Sequence, residues 1–197
     1  MQKNSFLFLI VIAGVALLAA YYAPTTLTAS VLMVRFTALA AFFMLCVSLI
    51  IGPLAAIDSK YAPLIEPRRA VGLAAFVFVA LHFILVLALY FNWQALELLN
   101  YFPIMLAIPA FVILAAMALT SSDFAVQKMG MGKWKILQMF VYPAFVLILA
   151  HFVLQAGKHN GLNEAELALL ALGAVTILLQ LYGFYLRRFG RKAVPTG

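Results

Sequence analysis

The sequence predicts an all-α membrane protein, a bundle of six transmembrane helices with both termini on the cytoplasmic side. Of its 197 residues, 67% are hydrophobic and 10% are charged, whereas a soluble domain carries about a quarter charged residues. The apolar residues also fall into six stretches, each close to the roughly 20 residues that cross a hydrocarbon core. We expect one transmembrane domain over the whole chain, with spans near 6–22, 31–57, 70–91, 103–120, 137–156 and 166–186.

Basic residues predict the orientation of these spans. When the loops are assigned alternately to the two sides, eleven of the thirteen Lys and Arg fall on one side, and only Arg35 and Lys158 fall on the other. Cytoplasmic loops carry the excess of Lys and Arg, so the basic side is expected to be cytoplasmic. The formal net charge of +7 therefore indicates contact with lipid headgroups of the bilayer and does not indicate nucleic acid.

The first span allows two interpretations. Lys3 followed by an apolar run resembles a signal peptide as well as a membrane anchor. Tyr21 and Tyr22 stand where a cleavage site needs small residues, so we expect a retained anchor.

Several classes of site are not supported by the sequence. The one cysteine, Cys46, cannot form an internal disulfide, and no Cys/His cluster indicates zinc. Acidic or basic residues do not occur in the middle of any predicted span, although ion-coupled transporters and proton pumps usually need them there. We also find no internal repeat and no glycine-rich nucleotide-binding motif.

Two histidines stand out because ionisable residues inside a membrane usually mark a functional site. His82 lies 12 residues into the third predicted span and His151 lies 14 residues into the fifth. At 1.5 Å per residue these depths are about 18 and 21 Å, measured in the same direction. Two imidazoles at matched depth are suited to bind one haem iron from its two faces.

The surroundings of the histidines fit this hypothesis. Small residues near them, Ala75 and Ala144, are expected to leave room for a ring, and aliphatic neighbours to exclude water. Arg35, Lys158 and His159 are expected at the outer mouth, where haem propionates need cations or water. Two alternatives remain open: a non-redox permease or assembly factor in which the histidines are interhelical hydrogen-bond partners, and a site for another metal.

Several motifs resemble the ferric reductase-like transmembrane family. Within that family the resemblance is greatest to the haem-binding membrane subunits of bacterial methionine sulfoxide reductase systems. It covers about residues 31 to 156 and rests on seven segments in consistent order: Leu49–Leu54, Arg68–Leu73, Ala80–Phe83, Leu119–Ser122, Gly132–Trp134, Phe140–Tyr142 and Ala150–Phe152.

The resemblance implies a multi-pass protein of the bacterial inner membrane that carries electrons through one b-type haem, with His82 and His151 at the positions of family ligands. It implies a cytoplasmic electron source, either a flavin reductase or the quinol pool. It also implies an outer acceptor, a periplasmic molybdoenzyme that repairs oxidised methionine. The protein would then be an electron-transfer subunit of an oxidoreductase and not a complete enzyme.

This chain departs from the family at an inner position. Many members carry a second histidine thirteen residues before the one that matches His151, where this chain has Gln138, and a glutamine amide is a poor haem ligand. We therefore expect no second bis-histidine haem. An inner site could still hold FMN or a quinone at a basic, partly aromatic mouth formed by Arg68, Arg69, Lys133 and Trp134, although ordinary positive-inside anchoring would also explain these cations.

Overall fold

The computed structural model describes residues 2–23, 27–156 and 162–189, with side chains from residue 7 onward. Within these residues the chain forms helices and no strand, as the sequence predicts. Two short 3-10 helices, Ser59–Leu64 and Ala95–Asn100, precede the third and fourth α-helices. The α-helices are α1 (Gln2–Tyr22), α2 (Ala29–Ile57), α3 (Ile65–Tyr90), α4 (Phe102–Leu119), α5 (Asp123–Met129), α6 (Met131–Met139), α7 (Val141–Ala156) and α8 (Glu164–Phe189).

The membrane-spanning character of the fold is confirmed. In the described part of the chain, five segments are long and apolar enough to cross a membrane: Ala29–Ile57, Ser59–Tyr90, Phe102–Leu119, Met131–Ala156 and Glu164–Phe189. The apolar part of the first helix, Leu7–Tyr22, is shorter. The predicted spans therefore correspond to α1, α2, α3, α4, the α6–α7 segment and α8.

The fifth span begins earlier than predicted and is interrupted. Its helix starts at Met131, ends at Met139, and resumes as α7 at Val141. Pro143 explains the interruption, because a proline ring collides with the carbonyl four residues earlier and offers no amide to it. The break leaves Phe140 between two helices that share one apolar segment.

The main spans form a ring of packed helices. α2 packs most extensively against α3 and α8, and α4 packs most extensively against α7. Lighter contacts of α3 with α4 and of α7 with α8 close the ring. α2 is the most buried span, and its Phe42 ring stacks on Phe145 of α7 at a centroid distance of 5.7 Å.

α1 lies against α2. One stripe of its residues is buried, and a Cβ atom built on Gly14 would overlap the ring of Phe43. Glycine therefore allows the two helices to approach closely, as small residues commonly do between membrane helices. The buried stripe consists of Leu7, Val11, Leu18 and Tyr22.

Side-chain hydrogen bonds to backbone carbonyls join α2 to its neighbours. Gln180 of α8 donates from Nε2 to the Leu49 carbonyl at 2.6 Å, and the Ser48 hydroxyl donates to the Arg68 carbonyl at 3.4 Å. Such bonds satisfy polar groups that hydrocarbon cannot solvate. They hold α3 and α8 against the central helix.

Candidate cofactor site

Both histidines lie near the same end of the bundle. His82 is eight residues before the end of α3, and His151 is five residues before the end of α7. Because α2 and α4 run antiparallel to these helices, their first turns lie at that end too. We call this region, formed by the starts of α2 and α4 and the ends of α3 and α7, the histidine end.

Each imidazole is held by a backbone carbonyl of the neighbouring helix. His82 Nδ1 lies 3.0 Å from the Val34 carbonyl oxygen of α2, and His151 Nδ1 lies 2.8 Å from the Pro103 carbonyl oxygen of α4. A carbonyl only accepts, so Nδ1 carries the proton and donates it in both residues. The remaining nitrogen, Nε2, then holds the lone pair that a metal ion needs.

Neither Nε2 atom is used inside the protein. Among the described residues, neither makes a hydrogen bond to protein, and no side-chain polar atom is both enclosed and without a partner. Each Nε2 therefore reaches accessible space. The helices that carry the two rings, α3 and α7, pack mainly on α2 and α4 and not on each other.

The two histidine sites repeat one local design. Each histidine follows its carbonyl partner by 48 residues, and each follows a fully buried alanine by seven. Ala75 and Ala144 occupy these alanine positions. The whole set recurs after 69 residues: Val34 with Pro103, Ala75 with Ala144 and His82 with His151. Two buried pairs on the partner helices recur at the same spacing, Ala41 with Ala110 and Leu45 with Leu114. The sequence analysis found no internal repeat and was wrong on this point, since residues 75–85 and 144–154 are identical at six of eleven positions.

The buried alanines have a different role from the one expected. Ala144 packs with Ala110 and Leu114 between α7 and α4, and Ala75 packs in the cluster between α3 and α2. They allow each histidine helix to approach its partner helix closely. Close approach is what places the carbonyls of Val34 and Pro103 within reach of the imidazoles.

Arg35, expected near the propionates, has a carboxylate partner in the structure. Its Nη1 lies 4.0 Å from Glu166 Oε1. Glu166 is buried at the start of α8 and forms a reciprocal capping box with Asn163, in which each side chain accepts from the backbone amide of the other residue. The side-chain amide of Asn163 also donates from Nδ2 to the Tyr22 hydroxyl. Lys158 and His159 lie outside the described residues.

Glu166 was missed as a functional candidate, because a glutamate at the edge of an apolar stretch looks solvated. The spacing Asn163-x-x-Glu166 is nevertheless a readable capping pattern. The Glu166 carboxylate joins α8 to Arg35 of α2, and the Asn163 side chain joins the start of α8 to α1. This network closes the histidine end on one side.

At the opposite end of the bundle, three of the predicted inner residues bind the protein itself. Arg69 donates from Nε to the Ser121 carbonyl at 2.8 Å and from Nη1 to Asp123 at 2.7 Å. Trp134 Nε1 donates to the Thr120 carbonyl at 3.1 Å, and Gln138 Nε2 lies 3.5 Å from the Met117 carbonyl. These contacts fix the turn between α4 and α6.

Arg68 differs from these three. Its guanidinium has no carboxylate partner among the described residues. It lies against Gly52, where a Cβ atom would come within 3.3 Å of Nη1, and within electrostatic range of Tyr142 and Arg187. Of the two predicted inner arginines, Arg68 is the one without an acidic partner in the described part of the chain.

The donor set fits a haem iron better than a metal ion held by protein alone. The described residues contain no group of three or more His, Cys, Asp or Glu that could hold a metal. Zinc and similar ions usually take at least three protein ligands. Two neutral imidazoles suffice only when a macrocycle supplies the other donors, as a porphyrin does.

Comparison with known proteins identifies the family. The model of the ferric reductase like transmembrane component matches residues 37–149. The haem-binding subunit MsrQ of protein-methionine-sulfoxide reductase from Herminiimonas arsenicoxydans is 31% identical over 77% of this chain and 71% of its own length. MsrQ from an Enterobacter species is 38% identical over 71% of both chains.

A third relative is the magnetosome protein MamZ of Magnetospirillum gryphiswaldense, 32% identical over 76% of this chain. This chain spans only 23% of MamZ. No solved structure matches. The family match contains His82 and ends two residues before His151; because it covers more than half of the chain, we conclude that the chain belongs to the ferric reductase-like transmembrane family.

Proposed function

We propose that this protein is a transmembrane electron-transfer subunit that binds one b-type haem through His82 and His151. The observation that supports this most directly is the pair of Nδ1 hydrogen bonds, which leave both Nε2 atoms free for a metal. The relatives named haem-binding subunits support the choice of haem as the cofactor. Haem when bound supplies a one-electron couple.

The chain's own residues then hold and isolate this cofactor. Val34 and Pro103 fix the tautomer and the direction of each ligand through their carbonyls. Phenylalanines line the helices beside the ligands, with Phe83 stacked on Phe111 at 4.7 Å and Phe42 tilted against Phe152 at 5.2 Å. Apolar rings exclude water and lower the local dielectric, which strengthens the electrostatic effect of each fixed hydrogen bond.

The proposed orientation places the Arg68 end in the cytoplasm and the histidine end on the outer face. The distribution of Lys and Arg along the chain supports it through the positive-inside rule. In this proposal electrons enter from a flavin reductase or from quinol, and an inner site binds FMN or a quinone. Arg68 is the residue best placed to bind the anionic part of such a molecule, because its charge is not neutralised by an acid in the described part of the chain.

The proposed acceptor is a periplasmic methionine sulfoxide reductase, a molybdoenzyme, with the protein in the bacterial inner membrane. The MsrQ relatives support this acceptor. A magnetosome protein, MamZ, is also among the relatives of this chain. A direct test is whether the dithionite-reduced protein, mixed with the reductase from its own host, is reoxidised when methionine sulfoxide is added; no reoxidation would reject this acceptor.

Haem binding is tested by the absorption spectrum of the purified protein. We expect a Soret band that shifts on reduction with dithionite, and we expect His82→Ala or His151→Ala to remove most of it. Gln138→Ala is the matched control, since Gln138 contacts the Met117 carbonyl and should leave the band intact. Normal haem content in both histidine variants would show that the ligands are wrong.

The alternative function is that of a non-redox membrane protein whose histidines only join helices. The same two hydrogen bonds favour it, since each links one helix to another. Colourless protein from haem-replete cells, with both histidine variants less stable than the wild type, would support this alternative.

A further inference from the structure

The single hydroxyl proton of Thr37 is shared between two backbone carbonyls, and the more distant of the two is the Val34 carbonyl that holds His82. The Thr37 hydroxyl lies 3.1 Å from the Val34 carbonyl oxygen and 2.8 Å from that of Met33, and the residue is buried. The Val34 oxygen also faces the helical amide of residue 38. A carbonyl oxygen has two lone pairs, so up to three donors compete for two acceptor sites at Val34.

The second histidine has no such competitor. In the 69-residue repeat, Leu106 stands in α4 where Thr37 stands in α2. Leucine offers no hydroxyl, so the Pro103 carbonyl is not shared with a side chain at that position. The His151 hydrogen bond is 2.8 Å long and the His82 hydrogen bond is 3.0 Å long.

We propose that Thr37 is a positioning residue that weakens the Nδ1 hydrogen bond of His82 and so makes the two haem ligands unequal. This inference rests on the proposed function and extends it. A stronger hydrogen bond from Nδ1–H raises the basicity of the imidazole. A more basic ligand stabilises the oxidised iron, so the Thr37 hydroxyl keeps the reduction potential of the haem higher than it would otherwise be.

The test is the haem midpoint potential of the purified full-length protein, measured by spectroelectrochemical titration in lipid nanodiscs. Thr37→Val removes the competing hydroxyl with little change in shape and should shift the potential to a more negative value. Thr37→Ser keeps the hydroxyl and should match the wild type. The expected change is up to about tenfold in the equilibrium constant for reduction, or about 59 mV for one electron.

The repeat supplies a second, opposite variant. Leu106→Thr places a hydroxyl one helical turn after Pro103 and should shift the potential to a more positive value, while Leu106→Val serves as its control. If the Thr37 hydroxyl acted only through its polarity, Thr37→Val would shift the haem potential in the opposite direction, to a more positive value. Oxidised haem carries one more positive charge, so losing a polar group would disfavour oxidation and raise the potential.

The outcomes separate this inference from the proposed function. Haem-loaded Thr37→Val with an unchanged or raised potential overturns the role of Thr37 while leaving His82 and His151 as ligands. If Thr37→Val does not fold, an unchanged potential in Leu106→Thr overturns it equally. Wild-type protein without a Soret band overturns the proposed function itself.

Discussion

Ala144→Leu is expected to loosen α7 from α4 and to lower haem retention. Ala144 is fully buried and packs directly against Ala110 and Leu114. Leucine adds three carbon atoms to a contact that has no room for them. The helices must separate, or the side chain must adopt a strained rotamer.

The size of the effect follows from two contributions. Overpacking of a filled core costs about 1–3 kcal/mol. The His151 hydrogen bond is 2.8 Å long, and a separation of about 1 Å would carry it beyond the range of a hydrogen bond. Losing that bond costs a further 1 kcal/mol or so, which gives a loss of about 2–4 kcal/mol in the free energy of unfolding.

Thermal unfolding in detergent, followed with the Soret band, measures both effects. Ala171→Leu is the control, because the same carbon atoms are added at an exposed alanine of α8. We expect a lower Tm and a lower haem-to-protein ratio for Ala144→Leu alone. A wild-type Tm and full haem content would refute the argument that this alanine sets the distance between α4 and α7.

Three further predictions concern other parts of the fold. Gly14→Leu should displace α1 from Phe43 and lower the Tm, whereas Ala16→Leu, at an exposed position of the same helix, should not. Glu166→Ala should lower the Tm more than Glu166→Gln, because the glutamine side-chain oxygen can still accept the hydrogen bond from the backbone amide of Asn163. An equal loss of Tm in the two variants would contradict a capping role. The backbone amide of Lys60, 2.9 Å from Asp58, lowers the pKa of that carboxyl below 3.8. A carboxyl whose pKa is lowered by folding stabilises the folded state at pH values above the pKa it has in the unfolded chain. Protection of the Lys60 amide from hydrogen exchange should therefore hold at neutral pH and fall only below about pH 4. Loss of this protection near pH 6 would reject the prediction.

The main features of the fold could be predicted from the sequence because hydrocarbon imposes a simple rule. A span must be apolar over its whole length and must satisfy its backbone internally, so composition and length locate it. The predicted spans agree with the helices to within a few residues, apart from the third and the fifth. The third helix begins five residues earlier than predicted, at Ile65, and the fifth begins at Met131 and is interrupted before Pro143.

The inner residues show where sequence reasoning was insufficient. Arg68 and Arg69 are adjacent and identical in type, yet Arg69 is held by Ser121 and Asp123 while Arg68 has no acid beside it among the described residues. The difference depends on which side of α3 faces the turn after α4. Neither composition nor spacing contains that information.

The sequence by itself determined that the protein is a membrane protein and which residues form its helices. It also determined that two histidines lie at similar depth in the predicted spans. The tertiary structure decided which nitrogen of each histidine is occupied, that Val34 and Pro103 occupy it, and that Thr37 shares one of these carbonyls. Backbone carbonyls are present at every position and leave no mark in a sequence. Their role depends on how closely two helices approach, which only packing fixes.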